Sequence, residues 1–337
     1  MKAFYLESIK QFSKKDISIP SPNAGEVLVK VKNVGICGSD VHYYEYGKIG
    51  NFVIEKPLIL GHEAAGDVVA VGSEVKNLKV GDRVAMEPGI PCGKCKFCKS
   101  GRYNLCPDIK FWATPPVDGT FTEYVTHPAD FCFKLPSDVS YEEGAMFEPL
   151  AVGLWATEKA NLKPENSVAI LGVGTIGMMT LKSVLAVGIT DVTVFDVSDF
   201  KLDMAKQFGA KIVNSKDPSI FKNYSDAFDV VFETAGNSIT TSNTVNLVSR
   251  GGTIILVGLP SKDENILNTN LLNSKEGVIK TVFRYANMYP RALQLVSSGK
   301  IQLKPLITKH FDFDQLPEAF DYIVKNNDKV IKVMMNF

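Results

Sequence analysis

Residues 168–196 read VAILGVGTIGMMTLKSVLAVGITDVTVFD, and this stretch decides the fold class. A short apolar run leads into a glycine-rich turn, and an apolar segment of helical length follows the turn. A second apolar run then ends at Asp196, about 20 residues beyond the last glycine of the turn. A strand, a glycine turn and a helix, with an acidic residue at this distance, are typical of a dinucleotide-binding βαβ unit.

The turn itself, GVGTIG at residues 172–177, is suited to a pyrophosphate. Gly172 permits the tight turn, Gly174 lets the backbone approach the phosphates, and Gly177 lets the helix pack close to the strand. Thr175 and Ile176 lie in the same turn, and we place them in the cofactor site; the N-terminus of the helix that follows favours an anion. The competing interpretation is a glycine-rich turn that binds no ligand.

Asp196 selects the form of the cofactor. A carboxylate at this position accepts hydrogen bonds from the ribose hydroxyls, at roughly 1.5–3 kcal/mol for each bond to a charged group. A 2′-phosphate would meet like charge there, and Lys201, which lies further along the chain, would offset that repulsion only in part. We therefore predict NAD rather than NADP, and we place Lys201 and Val257 with the turn in the cofactor site.

The rest of the chain predicts two domains, as its 337 residues suggest. Short β-rich runs with glycine and proline punctuation fill the N-terminal part and predict a barrel-like or sandwich-like β domain. Beyond residue 167 the sequence pattern changes: six fully apolar runs alternate with segments of helical length. This βαβ pattern predicts a parallel sheet covered on both faces. A helix and a final strand follow after residue 286. The predicted strands of the sheet lie in SVAIL, DVTVFD, AKIVN, FDVVFE, GGTIILVG and GVIKTVF.

Composition excludes several function classes. With 45% hydrophobic and 22% charged residues the chain is neither disordered nor fibrous. Its 37 basic and 37 acidic residues give no indication of nucleic acid or an anionic membrane as a partner. The apolar stretch 167–188 contains glycines and Lys182, which argues against a membrane span. No secretory pattern is evident at the N-terminus, so we expect a cytoplasmic protein with a small-molecule substrate.

Four of the six cysteines fall within residues 92–106. Their C-x2-C-x2-C-x7-C spacing predicts a closed structural zinc site, which clips a loop and performs no chemistry. Interleaved basic residues would lower the thiol pKa values and offset the charge of four thiolates. An iron–sulfur cluster and unmetallated thiols stay open as alternatives, and Cys132 is interpreted as a small buried apolar residue. The four predicted ligands are Cys92, Cys95, Cys98 and Cys106, and their basic neighbours are Lys94, Lys96, Lys99 and Arg102.

A second group of chemically active residues begins in GICGSDVHYYEYG, residues 35–47, which we interpret as a glycine-flanked loop. Cys37 in this loop needs partners, and His62, Glu63 and Glu148 are candidates. Neighbouring residues of a regular strand face opposite sides, so His62 and Glu63 can converge only if the backbone is irregular at Gly61. The residues alone leave a structural histidine as the alternative to a metal ligand.

Long segments around these motifs resemble one family, the zinc-dependent polyol dehydrogenases of the medium-chain dehydrogenase/reductase superfamily, of the sorbitol and xylitol type. The resemblance implies a GroES-like catalytic domain at 1–151 and 286–337, which holds the structural-zinc loop 92–106, and a Rossmann domain at 152–285. The segments that carry it are 35–66, 92–106, 101–119, 147–153 (FEPLAVG), 172–177 and 282–287 (VFRYAN).

The same resemblance implies roles for the candidate residues. Cys37, His62 and Glu63 would hold a catalytic zinc with an open position, and Glu148 would bind it directly or through water. Glutamate at 148, where relatives acting on simple alcohols commonly have cysteine, favours the polyol branch. Asp40 would orient His62, while Ser39 would take the substrate proton and His42 would pass it to solvent. The substrate pocket would be lined by Tyr43, Phe111, Thr114, Arg284 and Tyr285.

We therefore predict an NAD-dependent enzyme that interconverts a polyol and its 2-ketose, with the homotetramer that the resemblance suggests. A 2,3-butanediol or L-threonine dehydrogenase of the same superfamily is the nearest alternative. A non-catalytic zinc- and dinucleotide-binding sensor is the alternative from another class. For Ser39, His42, Phe111 and Arg284, purely structural or surface roles also stay open.

Overall fold

The computed structural model describes residues 1–260 and 264–337. The chain divides into two compact units, one formed by Met1–Glu148 with Tyr289–Phe337 and the other by Pro149–Met288. The domain boundaries given above stay a prediction.

The unit Pro149–Met288 is built on a six-stranded parallel sheet. All six strands predicted from the sequence are present, and their order is that of the Rossmann fold, in which the first strand lies beside the second and the fourth. In spatial order the strands are Lys211–Asn214, Val192–Asp196, Val168–Leu171, Phe228–Glu233, Val248–Leu256 and Val278–Thr281. The α-helices are Thr175–Ala186, Asp199–Gln207, Ser238–Leu247 and Thr269–Ser274, with a 3-10 segment at Pro218–Tyr224.

The sheet explains the apolar stretch 167–188. Its first part is the strand Val168–Leu171, all four residues of which are buried, and its second part is the helix Thr175–Ala186. Strands covered on both faces must be apolar throughout, and this accounts for the composition. Across residues 1–260 and 264–337, no helix combines the length and hydrophobicity that a bilayer crossing requires.

The other unit is centred on a seven-stranded sheet. Its middle strand, Glu26–Ile36, pairs antiparallel with three neighbours, and β-rich segments predicted from the N-terminal sequence supply most of the sheet. The strands are Glu26–Ile36, Glu63–Val71, Arg83–Met86, Tyr124–Pro128, Cys132–Lys134, Ile307–Asp312 and Lys332–Asn336. Two-stranded sheets join Lys2–Ser8 with Gln11–Asp16, Lys48–Ile49 with Phe52–Val53, and Gly89–Ile90 with Lys110–Phe111.

Helices complete this unit, and the predicted C-terminal helix and final strand are both present. The α-helices are Gly38–Tyr46, Lys96–Lys99, Tyr141–Ala145, Tyr289–Ser297 and Leu316–Lys325. Short 3-10 segments lie at Tyr103–Leu105, Ala129–Phe131, Lys304–Leu306, Phe313–Gln315 and Asn327–Lys329. The boundary between the two units falls within the helix Phe147–Ala160.

The interpretation of residues 35–47 as a loop was wrong, because most of the segment is the helix Gly38–Tyr46. The backbone N–H of Cys37 donates to Asp40 Oδ2 at 3.0 Å, which caps the first turn. Gly47 ends the helix in the left-handed conformation, with φ 68°. Cys37 is therefore the residue at which a strand ends and a capped helix begins.

Strand register brings three distant segments to one place. Gly35 lies opposite Glu63 on one neighbouring strand and opposite Met334 on the other. The end of the middle strand, the start of strand Glu63–Val71 and the start of strand Lys332–Asn336 therefore meet beside Cys37. This edge of the sheet holds the first candidate site.

Candidate metal centres and cofactor site

Cys37, His62 and Glu63 form a cluster of potential metal ligands. One ligand atom from each residue lies within 4.8 Å of the others. His62 and Glu63 are buried, and Cys37 is half-buried. The structure therefore brings together three of the four residues that the resemblance implied.

The backbone at Gly61 makes this convergence possible. Its φ of 88° lies in a region that glycine adopts and L-residues rarely do. The strand begins only at Glu63, so His62 belongs to the irregular segment before it. Neighbouring side chains can therefore turn toward one point, as the sequence had required.

Asp40 connects the two ligand-bearing segments. Its fully buried carboxylate accepts the backbone N–H of Cys37 through Oδ2 and the backbone N–H of Gly61 through Oδ1, each at 3.0 Å. Oδ1 also lies 3.5 Å from His62 Nδ1, which makes no hydrogen bond. Burial lowers the pKa of His62, but the charges of Asp40 and Cys37 outweigh it and raise that pKa well above its ordinary value.

Sequence reasoning missed Lys332, which lies against the same cluster. Its ammonium group donates to Glu63 Oε1 at 2.7 Å and to the carbonyl of Ile36 at 2.9 Å. The lysine side chain is 1% exposed and that of Glu63 is fully buried. A lysine inside the otherwise apolar segment KVIKVMMNF was the signal available, because buried lysine is rare unless it is paired.

The residues present fit a zinc ion. The donor set of one thiol, one imidazole and one carboxylate matches the ligands that zinc takes in proteins. Glu63 Oε2 is buried without a hydrogen-bond partner, and a buried carboxylate oxygen left in this state is costly unless a cation satisfies it. A Cβ atom at Gly35 would lie 2.1 Å from this oxygen, so the glycine leaves the space that the carboxylate needs.

Glu148 is not part of the three-residue cluster found in the described portion of the chain. It lies in the first turn of the helix Phe147–Ala160 and is buried. Its charge contributes to raising the pKa of Lys332 and that of Glu87, so the carboxylate lies within electrostatic reach of both. Direct coordination by Glu148 stays a prediction.

Ser39 and His42 both lie on the helix Gly38–Tyr46, three residues apart. Residues at this spacing are neighbours on one helical face. Both side chains are half-buried, and the His42 ring lies 4.7 Å from the ring of Tyr46. This placement is compatible with the predicted proton relay.

The four cysteines of the second site lie close together. Cys98 Sγ is 3.4 Å from Cys95 Sγ and 3.9 Å from Cys92 Sγ, and the N–H of Cys92 donates to Cys106 Sγ at 3.4 Å. Four sulfurs at about 2.3 Å from one zinc would be separated by about 3.8 Å. The cluster therefore has the dimensions of a closed tetrahedral site.

Two of these thiols differ in pKa. Backbone N–H groups of Lys94 and Cys95 lower the pKa of Cys92 to about 7. Burial and the neighbouring thiols raise the pKa of Cys98 to about 12. The lowered value thus comes from backbone hydrogen bonds and not from the basic side chains that the sequence suggested. Four thiolates together require a cation.

Glu87 links this cysteine segment to the sheet. Its side chain is buried, and Oε1 accepts a hydrogen bond from the hydroxyl of Tyr103 at 2.6 Å. Burial raises the pKa of Glu87 to about 7. Burial also lowers the pKa of His127 to about 4, so its ring is neutral and Nε2 donates to the carbonyl of Glu87 at 2.7 Å.

The glycine turn of the other unit has the geometry that its sequence predicted. Gly172 has φ 87° and Gly177 packs so closely that a Cβ would lie 2.0 Å from the carbonyl of Gly172. A Cβ at Gly174 would meet no atom within 4 Å, so space is open where the helix Thr175–Ala186 begins. Thr234 fixes the turn from the adjacent strand by donating to the carbonyl of Gly172 at 2.6 Å.

Asp196 lies at the carboxyl end of its strand, as expected. Its Oδ2 accepts the N–H of Val173 and its Oδ1 the N–H of Ser198, both at 2.8 Å. The backbone of Lys201 donates to the hydroxyl of Ser198, and that of Val257 donates to the carbonyl of Glu233. The roles of Lys201 and Val257 toward the cofactor stay a prediction.

Similarity to known proteins identifies the family of this chain. Residues 23–137 match the alcohol dehydrogenase GroES-like domain, and residues 172–298 match the zinc-binding dehydrogenase domain. The sorbitol dehydrogenase of Bacillus subtilis (strain 168) is 42% identical over 341 residues, which cover 99% of this chain and 97% of that protein. The chain belongs to the zinc-dependent medium-chain dehydrogenases.

Two further relatives place this dehydrogenase more closely. The D-xylulose reductase of Morganella morganii is 44% identical over 334 residues, covering 95% of this chain and 97% of that one. A crystal structure of an Escherichia coli oxidoreductase/dehydrogenase of unknown specificity superimposes with a TM-score of 0.94 at 40% identity, covering 99% and 98% of the two chains. The predicted fold class and the predicted class of enzyme, an oxidoreductase that uses zinc and NAD, are confirmed.

The roles of the predicted substrate residues stay a prediction. Tyr43 and Phe111 are buried, and the Phe111 ring lies 5.7 Å from that of His62. The N–H of Thr114 donates to the carbonyl of Phe111. In the other unit Arg284 has φ 51°, an unusual conformation for a residue other than glycine, and Tyr285 is buried.

Proposed function

We propose that the protein is an NAD-dependent polyol dehydrogenase, which interconverts a polyol of the sorbitol or xylitol type and its 2-ketose. The observation that carries the proposal is the Cys37–His62–Glu63 cluster, which among the described residues offers three donors to a metal and not four. Catalytic zinc sites keep such an open position, whereas structural sites are closed. The full-length similarity to a sorbitol dehydrogenase and a D-xylulose reductase supports the choice of substrate.

Cys37, His62 and Glu63 would hold the catalytic zinc. Bound there, zinc supplies a Lewis acid that stabilises the ionised hydroxyl of the substrate. Oxidation of a secondary alcohol also releases the hydroxyl proton, and Ser39 would accept it and hand it to His42 on the same helical face. Asp40 keeps the segments of Cys37 and His62 in register through its two backbone hydrogen bonds.

The other unit would bind NAD, which supplies the hydride acceptor. The open space at Gly174 and the N-terminus of helix Thr175–Ala186 suit the pyrophosphate. Asp196 would accept hydrogen bonds from the ribose hydroxyls, and its negative charge would repel the 2′-phosphate of NADP. The cofactor roles of Lys201 and Val257 and the substrate roles of Tyr43, Phe111, Thr114, Arg284 and Tyr285 are part of the same proposal.

One assay separates the candidate functions. Reduction of NAD is followed with sorbitol, xylitol, 2,3-butanediol and L-threonine, and each substrate is repeated with NADP. We expect the largest kcat/KM with a polyol and NAD. A larger value with butanediol or threonine would replace the proposed substrate class, and no turnover of any substrate by zinc-replete protein would favour the non-catalytic sensor.

We extend the proposal to the setting of the enzyme. The resemblance to the polyol dehydrogenases suggests a homotetramer, and we expect it in the cytoplasm. Sedimentation velocity of the purified protein measures the mass of the assembly. A mass four times that of the chain is expected, and a monomer at micromolar concentration would contradict it.

A further inference from the structure

Lys332 is a fully enclosed cation that belongs to none of the roles assigned so far. Its side chain is 1% exposed, and its Nζ donates to Glu63 Oε1 and to the carbonyl of Ile36. Glu63 is one candidate zinc ligand, and Ile36 directly precedes another, Cys37. One ammonium group thus touches both segments from which the cluster is built.

The two oxygens of Glu63 are unequal as a result. Oε1 is 2.7 Å from Nζ and is engaged, whereas Oε2 is buried and makes no hydrogen bond. Oε2 lies on the side of Gly35, where any side chain would collide with it. Lys332 therefore holds the carboxylate at Oε1, while Oε2 occupies the space that Gly35 leaves and has no hydrogen-bond partner.

The ammonium group of Lys332 is enclosed but paired, because it forms an ion pair with Glu63 at 2.7 Å and a hydrogen bond with the carbonyl of Ile36 at 2.9 Å. An apolar side chain would fill this strand position without the desolvation penalty of a buried charge. A lysine among the candidate ligands therefore indicates a role beyond packing.

We propose that Lys332 is a positioning residue for the catalytic metal, which holds Glu63 by one oxygen and presents only the other to zinc. The consequence is a carboxylate ligand that occupies one coordination position and leaves another open for substrate. The inference rests on the proposed zinc site. The positive charge beside the site also favours the ionised form of the substrate hydroxyl.

The structure of the zinc-loaded protein tests this proposal directly. In the unaltered chain we expect zinc at 2.0–2.2 Å from one Glu63 oxygen, the range for carboxylate ligands, with the other still bonded to Lys332. Zinc held by both oxygens, with Lys332 displaced, would overturn the inference alone. Zinc absent from Cys37, His62 and Glu63 in zinc-replete crystals would instead overturn the proposed site.

Two variants supply the matched comparison. Lys332→Met keeps the length of the side chain and removes both charge and donor, and Lys332→Arg keeps both. We expect Lys332→Met to bind zinc through both Glu63 oxygens and to shift the acidic limb of the kcat/KM profile upward by about one pH unit. Lys332→Arg is expected to restore the single-oxygen geometry and the original profile.

Other results count against the proposal. An unshifted profile and unchanged coordination in folded Lys332→Met would make the lysine merely structural. Should Lys332→Met fail to fold, the zinc-loaded structures of the unaltered chain and of Lys332→Arg decide, since both must show one Glu63 oxygen on the metal. A second oxygen on the metal in either of them overturns the inference.

Discussion

The two candidate metal centres of the unit formed by Met1–Glu148 and Tyr289–Phe337 are built in opposite ways. All four thiols of one centre come from a single short segment, Cys92 to Cys106, which is partly exposed. The other takes Cys37 from the junction of a strand and a helix, His62 from an irregular segment and Glu63 from the start of the next strand. His62 and Glu63 are buried and Cys37 is half-buried. The first centre is local in sequence and complete in donors, whereas the second is assembled by the sheet and incomplete.

The difference teaches what each centre needs from the fold. The cysteine centre needs only chain spacing and backbone N–H groups, such as those that lower the pKa of Cys92. The open centre depends on residues that are not ligands. Asp40 bonds the backbones of both ligand segments, and Lys332 engages Glu63. A site that performs chemistry must be held rigidly while one position is left open.

Removing a donor from the open centre has the largest expected effect. Cys37→Ser should lower kcat/KM on a polyol by about 10³-fold, because the lost Lewis acid is worth several kcal/mol and each 1.36 kcal/mol is a factor of ten. The melting temperature should change little. Steady-state kinetics and calorimetry measure the two quantities, and a kcat/KM within threefold of the unaltered enzyme would contradict a metal at this place.

The same substitution in the closed centre should act on stability instead. For Cys95→Ser we expect a loss of about 3 kcal/mol, which lowers the melting temperature by roughly 6–12 °C. The kcat of the fraction that stays folded should remain within threefold. A loss of kcat comparable to that of Cys37→Ser, without a change in melting temperature, would erase the distinction between the centres.

Asp40→Asn sharpens the comparison because it leaves every ligand in place. The amide has one acceptor oxygen, so it cannot accept both backbone N–H groups that Asp40 now bonds. We expect the affinity of the open centre for zinc to fall by about 10–100-fold, as for other residues that orient ligands. Competition with a chelator measures it. Equal retention of zinc would show that the carboxylate does not organise the site.

Glu87→Gln has the smallest expected effect and tests the connection of the cysteine segment to the sheet. The pKa of Glu87 is raised from 4.5 to about 7 in the folded protein. Between these pH values the folded chain holds a proton on Glu87 that the unfolded chain has lost. The free energy of unfolding therefore falls as pH rises through this range. The amide does not ionise and can still accept from Tyr103.

The gain in free energy of unfolding from Glu87→Gln should therefore grow by about 2 kcal/mol between pH 5.5 and pH 8.5. Urea denaturation at the two pH values measures it. Tyr103→Phe is the matched control, because it removes the bond that lowers the pKa of Glu87 and should move the transition to higher pH. A gain that is the same at both pH values would contradict the assignment.

Local features of the molecule could be predicted from the sequence. The strand Val168–Leu171, the glycine turn and the remaining parallel strands followed from apolar runs, because strands buried on both faces have no polar side. The cysteine centre followed from spacing alone. The need for an irregular backbone at Gly61 also followed, since strand geometry separates adjacent side chains.

Features that depend on distant contacts could not be predicted in this way. Lys332 lies 269 residues from Glu63, and only the sheet register brings the two together. The flanking glycines of residues 35–47 predict a loop, but Asp40 caps the helix Gly38–Tyr46 and also bonds the distant Gly61, a contact that only the fold provides. That Cys37, His62 and Glu63 cluster without Glu148 is likewise visible only in the folded structure.

Differential release of zinc tests the central claim, that an open catalytic centre and a closed structural one lie in the same unit. Zinc-replete enzyme is exposed to a chelator, and zinc per chain and NAD reduction are followed together. We expect one of two zinc ions to leave, with activity lost in proportion, while the other stays with the cysteines. Full activity after the first ion has left, or retention of that first ion by Cys37→Ser, would contradict the account.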